Sequence, residues 1–208
     1  MRLAVLGDSI AWGQGAPRER DRLASRLTDG LRVRGFDVES KVFAVPGARS
    51  SGLAAQVDRA IRWQPGLAVV VIGANDITHL VPPDQAAQEL AEAVRRLRAL
   101  GVQVVVTPAP DLSSVPYVPM ALRATVREAG EMLRQRQLTA VLEEGGRIAD
   151  SDQRASRAFA ADSSLFSGDR FHPSSAGYAV IADSLLPVLT EAAKDLSSGD
   201  TSWQGEPA

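Results

Sequence analysis

Three polar side chains in this sequence have the types and the spacing that a nucleophilic site needs. Ser9 follows a short apolar run near the start of the chain, and Asp169 precedes His172 by three residues near its end. A serine hydroxyl is a poor nucleophile near neutral pH, so it needs a base to take its proton and a third group to orient that base. At this spacing the carboxylate can hold one imidazole nitrogen of His172 and leave the other nitrogen free to face Ser9.

Acyl chemistry also needs hydrogen-bond donors for the oxygen that becomes negative when a carbonyl is attacked. The candidates are the backbone N–H groups of Ser9 and Gly47 and the side-chain amide of Asn75, each of which follows a predicted strand. Because ligands bind at the carboxyl ends of strands in open α/β sheets, we expect these donors to converge on one rim. Alternatively, Gly47 is only a turn glycine after Pro46, and Asn75 only satisfies backbone groups of its loop. We interpret His79, in the same loop as Asn75, as a structural or pocket-wall residue.

Apolar runs and amphipathic segments alternate along the chain, which predicts a parallel sheet with helices on both faces. The predicted strands are Leu3–Leu6, Val38–Val45, Leu67–Ile72, Val102–Thr107 and Arg147–Asp150. The predicted helices are Asp21–Arg34, a helix capped by Ser50 or Ser51 that ends at Trp63, Asp84–Leu100, Ala121–Glu144 and Ser174–Leu196. Glu92 and Arg96 are expected to pair on the outer face of the third helix, and the fourth helix could be broken near Gly130. Pro173 fits the first turn of the last helix. The segments Pro108–Pro119 and Asp152–Arg170 are predicted to be irregular.

The composition is that of one soluble globular domain, since 45% of the 208 residues are hydrophobic and the formal net charge is −2. We assign the domain to residues 1–196 and expect a disordered tail over residues 197–208, which are rich in Gly, Ser and Asp. The charge argues against nucleic acid as the main partner, and no apolar run reaches the length of a membrane span. The first residues do not form a signal peptide, so we expect a cytoplasmic protein; a secreted chain trimmed of its signal peptide is the alternative.

The patterns of several other enzyme classes are missing from the sequence. The absence of cysteine excludes disulfides, zinc–thiolate sites and a thiol nucleophile. There is no Gly-x-Ser-x-Gly elbow and no Gly-Lys-Ser/Thr phosphate loop, and Arg18 stands where a dinucleotide-binding loop would have its third glycine. Two histidines without matching acidic residues do not suggest a metal site, and we expect neither a metal nor a cofactor.

Four motifs, taken in their order along the chain, resemble those of the SGNH (GDSL-type) hydrolases. They are Gly7-Asp8-Ser9-Ile10, the loop glycine Gly47, Gly73-Ala74-Asn75-Asp76 and Asp169-Arg170-Phe171-His172-Pro173, and together they span nearly the whole chain. The resemblance implies a flavodoxin-like three-layer α/β/α sandwich with a central parallel five-stranded sheet. It also implies Ser9 as nucleophile, His172 as base and Asp169 as its orienting group, with Ser9, Gly47 and Asn75 forming the oxyanion hole.

On this resemblance we expect a serine esterase that acts on a small-molecule ester with a short-chain acyl or acetyl group. An acyltransferase would use the same residues to move the acyl group to a sugar or another alcohol, and a non-catalytic binding module is a third alternative. We expect the segments Pro108–Pro119 and Ala161–Gly168 to form the substrate walls. Ile10 and Trp12, beside the nucleophile, are candidate substrate-binding residues, although Trp12 could instead pack under its loop. Asp8 and Asp76 are interpreted as structural hydrogen-bonding groups.

Overall fold

A computed structural model describes residues 1–199 of the chain, and within them the strands form one five-stranded parallel sheet. The strands are β1 (Arg2–Gly7), β2 (Glu39–Val42), β3 (Leu67–Val71), β4 (Gln103–Thr107) and β5 (Arg147–Ile148), in the spatial order β2-β1-β3-β4-β5. The helices are α1 (Ser9–Trp12), α2 (Leu23–Val33), α3 (Leu53–Ile61), α4 (Ala74–Thr78), α5 (Pro83–Arg98), α6 (Arg123–Glu143), α7 (Arg154–Ala161) and α8 (Ser175–Gly199). This strand order confirms the predicted flavodoxin-like α/β sandwich.

Two apolar layers enclose the sheet because successive side chains of a strand point to opposite faces. Leu3 and Val5 of β1 pack in the layer covered by α2 and α8, whereas Ala4 and Leu6 pack in the layer covered by α3 and α5. All four side chains are fully buried. The central strands are therefore apolar on both faces, which explains why they are continuous runs of Val, Leu and Ala in the sequence.

The carboxyl ends of β1 and β3 lie side by side where the chain connections diverge to opposite faces of the sheet. Gly7, the last residue of β1, pairs with Val71 of β3. The φ of Gly7 is +131° and a Cβ atom there would lie 1.8 Å from the Val71 carbonyl oxygen, so only glycine fits. The N–H of Asp8 donates to that same carbonyl at 3.1 Å. The backbone that leads into Ser9 is therefore attached directly to the neighbouring strand.

One predicted element differs in kind from the one observed, and the break allowed in a predicted helix does not occur. The segment expected to be irregular over Asp152–Arg170 contains α7, whose first turn is fixed by a hydrogen bond from the Ala155 N–H to the Asp150 carboxylate at 3.1 Å. Helix α6 runs unbroken through Gly130, where a Cβ would meet only ordinary contacts at 3.6 Å. A glycine inside a helix costs about 1 kcal/mol relative to alanine, which is too little to end a helix with 21 residues.

Several predicted boundaries also need correction. The ladder of β2 stops at Val42, because the next residues leave the regular register and Val45 donates its N–H to Gly7 at 3.1 Å. Helix α8 begins at Ser175, so Pro173 precedes the helix instead of occupying its first turn. The same helix continues through Gly199, past the domain boundary expected after residue 196. The rest of the expected disordered tail, residues 200–208, lies outside the described residues.

The side-chain pairing expected along α5 is also different. Glu92 pairs with Arg95 at 2.6 Å, and Arg96 reaches Asp58 of α3 at 2.5 Å. Arg96 therefore joins two neighbouring helices of one layer and does not support its own helix. Within residues 1–199, no helix combines the length and the hydropathy that a membrane crossing requires.

Candidate active site

Ser9 is the first residue of α1, at the carboxyl end of β1, and is 7% exposed. Asp8 is the N-cap of this short helix, and its Oδ1 accepts the N–H of Ile10 at 2.9 Å. The tight turn between the strand and the helix presents the Ser9 hydroxyl at the rim of the sheet. Its Oγ lies 3.0 Å from Nε2 of His172, which approaches from the other end of the chain.

The imidazole of His172 also contacts the carboxylate of Asp169. Nδ1 of the ring lies 2.6 Å from Oδ2 of Asp169. When Nδ1–H donates to that carboxylate, the lone pair of Nε2 is left to accept the hydroxyl proton of Ser9. The structure therefore places Asp169 beside His172, as their spacing predicts, and His172 beside Ser9.

The Asp169 carboxylate is held by four hydrogen bonds from its own loop. Its Oδ1 accepts the Ser167 hydroxyl at 2.8 Å and the N–H groups of Phe171 and His172 at 2.9 Å each, which leaves Oδ2 for the imidazole. Partial burial raises the pKa of Asp169, but the bonds from the His172 ring, the two backbone N–H groups and Ser167 outweigh it and hold the pKa well below its usual range. The group beside the imidazole is thus a fixed carboxylate.

The loop that carries Asp169 and His172 is closed by backbone bonds at both sides. Ser167 N–H donates to the carbonyl of His172 at 2.7 Å, and an antiparallel bridge joins Phe166 to Pro173. Gly15, which follows α1, packs against this loop so closely that a Cβ there would lie 2.9 Å from the Cβ of His172. The segment after Ser9 is therefore in direct contact with the loop of Asp169 and His172, called the base loop after the role expected of His172.

The backbone N–H groups of Ser9 and Gly47 are both available to a ligand. Gly47 is exposed and has a φ of +78°, in the left-handed region that favours glycine. Among the hydrogen bonds within residues 1–199, none uses the N–H of Gly47 or of Ser9. The Gly47 loop is tied to the same rim because Val45 donates to the carbonyl of Gly7.

Asn75 stands in the first turn of α4, directly after β3, and is half-buried. Its Nδ2 donates to the carbonyl of Ala48 at 3.0 Å, so the amide is held against the residue that follows Gly47. An amide nitrogen has two hydrogens, and this bond uses one of them. The Asn75 side chain therefore does bond a loop backbone group, and its second amide hydrogen remains for a ligand.

Asp8, which precedes Ser9, and Asp76 are both buried and lie close enough together to interact electrostatically. Asp76 accepts the N–H of Ser50 at 3.0 Å and its hydroxyl at 2.9 Å, so Ser50 bonds a distant carboxylate and does not cap a helix. Burial raises the pKa of Asp8 to about 7, and the charge of Asp76 adds to that rise. The second carboxylate oxygen of Asp8 has no partner within the described residues.

Gln56 is a site-supporting residue that the sequence reasoning missed. Its carboxamide pairs with both backbone groups of Gly7, accepting the N–H at 2.7 Å and donating to the carbonyl at 2.9 Å. It lies on the buried face of α3 with Leu53, Val57 and Ala60. A glutamine at an apolar position of an amphipathic helix is the signal that could have identified it, because a buried amide must find partners.

His79 and Trp12 make no hydrogen bond to Ser9, His172 or Asp169 within the described residues. His79 is exposed, and its Nδ1 lies 2.8 Å from the carbonyl of Asn75 in its own turn. The Trp12 ring is 38% exposed and stacks with Arg22, whose guanidinium carbon lies 4.5 Å from the ring centroid. Ile10, in contrast, lines a small apolar cavity next to the site. The described residues contain no group of three or more metal-ligating side chains.

Comparisons with known proteins place this arrangement in context. The chain is 37% identical over 196 residues to the GDSL-like esterase Rv1075c of Mycobacterium tuberculosis, an alignment that covers 92% of this chain and 62% of that protein. The chain therefore spans about three-fifths of the length of this curated relative.

Solved structures with similar folds are more distant in sequence. LAE5, an alpha/beta hydrolase enzyme from the metagenome of Lake Arreo, superposes with a TM-score of 0.74 at 19% identity, covering 92% of this chain and 95% of that one. Axe2, an acetyl-xylooligosaccharide esterase from Geobacillus, superposes with a TM-score of 0.72 at 17% identity, covering 90% and 93%. At these identities the likeness shows a shared fold. The GDSL-like lipase/acylhydrolase family model matches residues 5–180, which is most of the chain, and the chain therefore belongs to that family.

Proposed function

We propose that this chain is a serine esterase that hydrolyses carboxylic esters with a short-chain acyl or acetyl group. The observation that carries the proposal is the hydrogen-bonded series Ser9 Oγ, His172 Nε2 and Nδ1, and Asp169 Oδ2, with separations of 3.0 and 2.6 Å. A hydroxyl, an imidazole and a fixed carboxylate in this order are what nucleophilic acyl chemistry uses.

In the first half of the proposed reaction, Ser9 Oγ bonds to the carbonyl carbon of the ester as His172 Nε2 takes the hydroxyl proton. The tetrahedral intermediate then breaks its bond to the alcohol oxygen, and His172 returns that proton to the departing alcohol. In the second half, water gives a proton to His172 as its oxygen attacks the carbonyl carbon of the acyl–serine. The bond between that carbon and Ser9 Oγ then breaks, and His172 returns the proton to Oγ, which releases the acid and restores the hydroxyl. Asp169 stays ionised throughout and stabilises the imidazolium.

The negative oxygen of each tetrahedral intermediate needs preorganised donors. We assign this role to the N–H groups of Ser9 and Gly47 and to the second amide hydrogen of Asn75. The two backbone groups have no partner within residues 1–199, and the bond from Asn75 to Ala48 holds the amide beside the Gly47 loop. The family membership and the esterase names of the relatives support the same reaction class.

A labelling experiment with a matched serine control tests the proposal. The unaltered protein should hydrolyse p-nitrophenyl acetate and butyrate, and an alkyl fluorophosphonate should stop turnover by modifying the peptide that contains Ser9. Ser9→Ala should abolish both turnover and labelling, whereas Ser51→Ala, at an exposed serine, should preserve both. Loss of a catalytic serine costs on the order of 10⁶ in turnover in a well-studied serine enzyme. An adduct on Ser50, Ser51 or Ser163, or full turnover by folded Ser9→Ala, would refute the assignment.

A further inference from the structure

A cavity of about 80 Å³ lies at the carboxyl edge of the sheet, on the face covered by α8. Its floor is formed by Val71 and Thr107 at the ends of β3 and β4, and its sides by Phe159 of α7 and Ile181 of α8. The two segments predicted to form substrate walls both contribute to it, through Leu112, Val115 and Phe166 among others. The cavity is therefore built by strand ends, two helices and both of these loops.

The cavity is lined by residues that neighbour Ser9 and His172 in the chain. Ile10, the residue after Ser9, lines it, as do Phe171 and Pro173, which flank His172 in the chain. The Phe171 ring also packs edge-on against the His172 ring, with centroids 5.0 Å apart. A group attached to the carbonyl carbon at Ser9 could thus extend into the cavity past Ile10.

The charged groups at the edge of the cavity are already occupied within the protein. Arg134, which is 5% exposed, donates to the carbonyls of Asp150 and Ser151 at 3.0 and 2.9 Å. The carboxylate of Asp150 accepts the Ala155 N–H, and that of Asp111 accepts the Ser113 N–H at 2.8 Å. The Thr107 hydroxyl, which has no partner within the described residues, is the one buried unpaired polar side-chain atom of this lining, whereas an apolar chain would gain by leaving water.

We propose that this cavity binds the acyl chain of the ester and selects butyryl over acetyl and over long acyl groups. A cavity of about 150 Å³ holds the six carbons of benzene, so a volume near 80 Å³ takes about three carbons. A butyryl group has three carbons beyond its carbonyl, which fills this space. The inference rests on the proposed function, because it assigns a substrate class to the same nucleophile.

A chain-length series with a filled cavity tests the size limit. Each buried methylene is worth about fourfold, so kcat/KM for p-nitrophenyl butyrate should exceed that for acetate about 15-fold and fall for octanoate. Ala155→Leu, which adds three carbons to the wall, should lower the butyrate-to-acetate ratio about tenfold. The matched control is Ala160→Leu on the exposed face of α7, where the ratio should stay the same.

A cavity-enlarging variant should move the preference the other way. Phe159→Ala removes an aromatic wall and should raise the hexanoate-to-butyrate ratio several-fold, which also protects the test if Ala155→Leu fails to fold. An optimum at acetate, or ratios unchanged in both folded variants, would overturn the acyl cavity while fluorophosphonate labelling of Ser9 still supports the esterase. Failure of both labelling and hydrolysis would instead overturn the proposed function.

Discussion

The two sides of the site are built by different means. On the nucleophile side, Gly7, Gln56 and Asp76 are buried, and their bonds join residues between 26 and 49 positions apart in the chain. On the base side, Asp169 is exposed, and every bond to its carboxylate comes from a residue within three positions. Packing between distant segments therefore fixes the serine, whereas a short self-contained loop fixes the histidine.

This difference predicts that the two sides respond differently to substitution. A change under the nucleophile should disturb stability as well as turnover, because the same bonds hold strands and helices together. A change within the base loop should affect turnover with little loss of stability, since water can replace bonds at an exposed carboxylate. Four substitutions test this contrast between the Ser9 side and the His172 side, and the one with the largest expected effect comes first.

The first concerns the two histidines. We expect His172→Gln to lower turnover by a factor on the order of 10⁶, because glutamine cannot accept the Ser9 proton. His79→Gln, in an exposed turn, should retain turnover close to that of the unaltered protein. Steady-state kinetics and melting temperatures of both variants check this, and the melting temperature of His172→Gln should hardly change. Equal inactivation of the two folded variants would reverse the choice of base.

The second concerns the buried carboxyl under the nucleophile. Burial holds the pKa of Asp8 near 7, above its unfolded value near 4. Between these values the folded state keeps a proton that the unfolded state has lost, so this group's stabilising contribution is full below pH 4 and is lost as the pH rises through 7. The total is on the order of 4 kcal/mol, since the pKa difference is about three units.

Asp8→Asn should remove this dependence, because the amide oxygen can still accept from Ile10 and carries no titrating proton. Denaturant midpoints from pH 4 to pH 7 would measure it. Asp58→Asn is a contrasting control: the bond from Arg96 lowers the pKa of this exposed group, so its contribution is lost only as the pH falls below 4. Parallel stability curves for Asp8→Asn and the unaltered protein would contradict the buried-carboxyl interpretation.

The third concerns Asn75, whose side-chain amide is proposed to bind the oxyanion and also bonds the Ala48 carbonyl. Asn75→Ala should lower kcat by on the order of 10²–10³, equivalent to roughly 3–4 kcal/mol, while KM changes little, because the donor acts only when charge develops on the oxygen. Loss of the bond to Ala48 should also reduce the melting temperature by a few degrees. If turnover per folded molecule were unchanged, Asn75 would have only its loop-bonding role.

The fourth concerns the serine inside the base loop. Ser167→Ala removes one of three donors to Asp169 Oδ1 and should lower kcat roughly three- to tenfold, with KM and the melting temperature nearly unchanged. Ser163→Ala, at an exposed serine before the same loop, should leave kcat as it is. A large fall in the melting temperature of Ser167→Ala would show that the base loop is as interdependent as the nucleophile side.

The same contrast explains what could be predicted from the sequence. The approach of Asp169 to His172 could be inferred from their spacing, and the sheet from its apolar runs, because both depend on nearby residues. Helix α7 was missed because it has only eight residues and only one of them, Ala155, is buried. The partners of Gly7 and Asp76 were missed because Gln56 and Ser50 lie 49 and 26 positions away from them, and their places in the sequence do not indicate which groups they bond.

The reacting serine and histidine are separated by 163 positions, and this distance has a consequence during synthesis. Chains fold from the amino terminus as they are translated, so β1 and the Ser9 turn can form long before the ribosome has made the base loop. Any nascent chain shorter than that loop carries the hydroxyl without its proton acceptor. On the proposed function, the polypeptide therefore has no esterase activity while it is being built, and turnover begins only once His172 has reached Ser9.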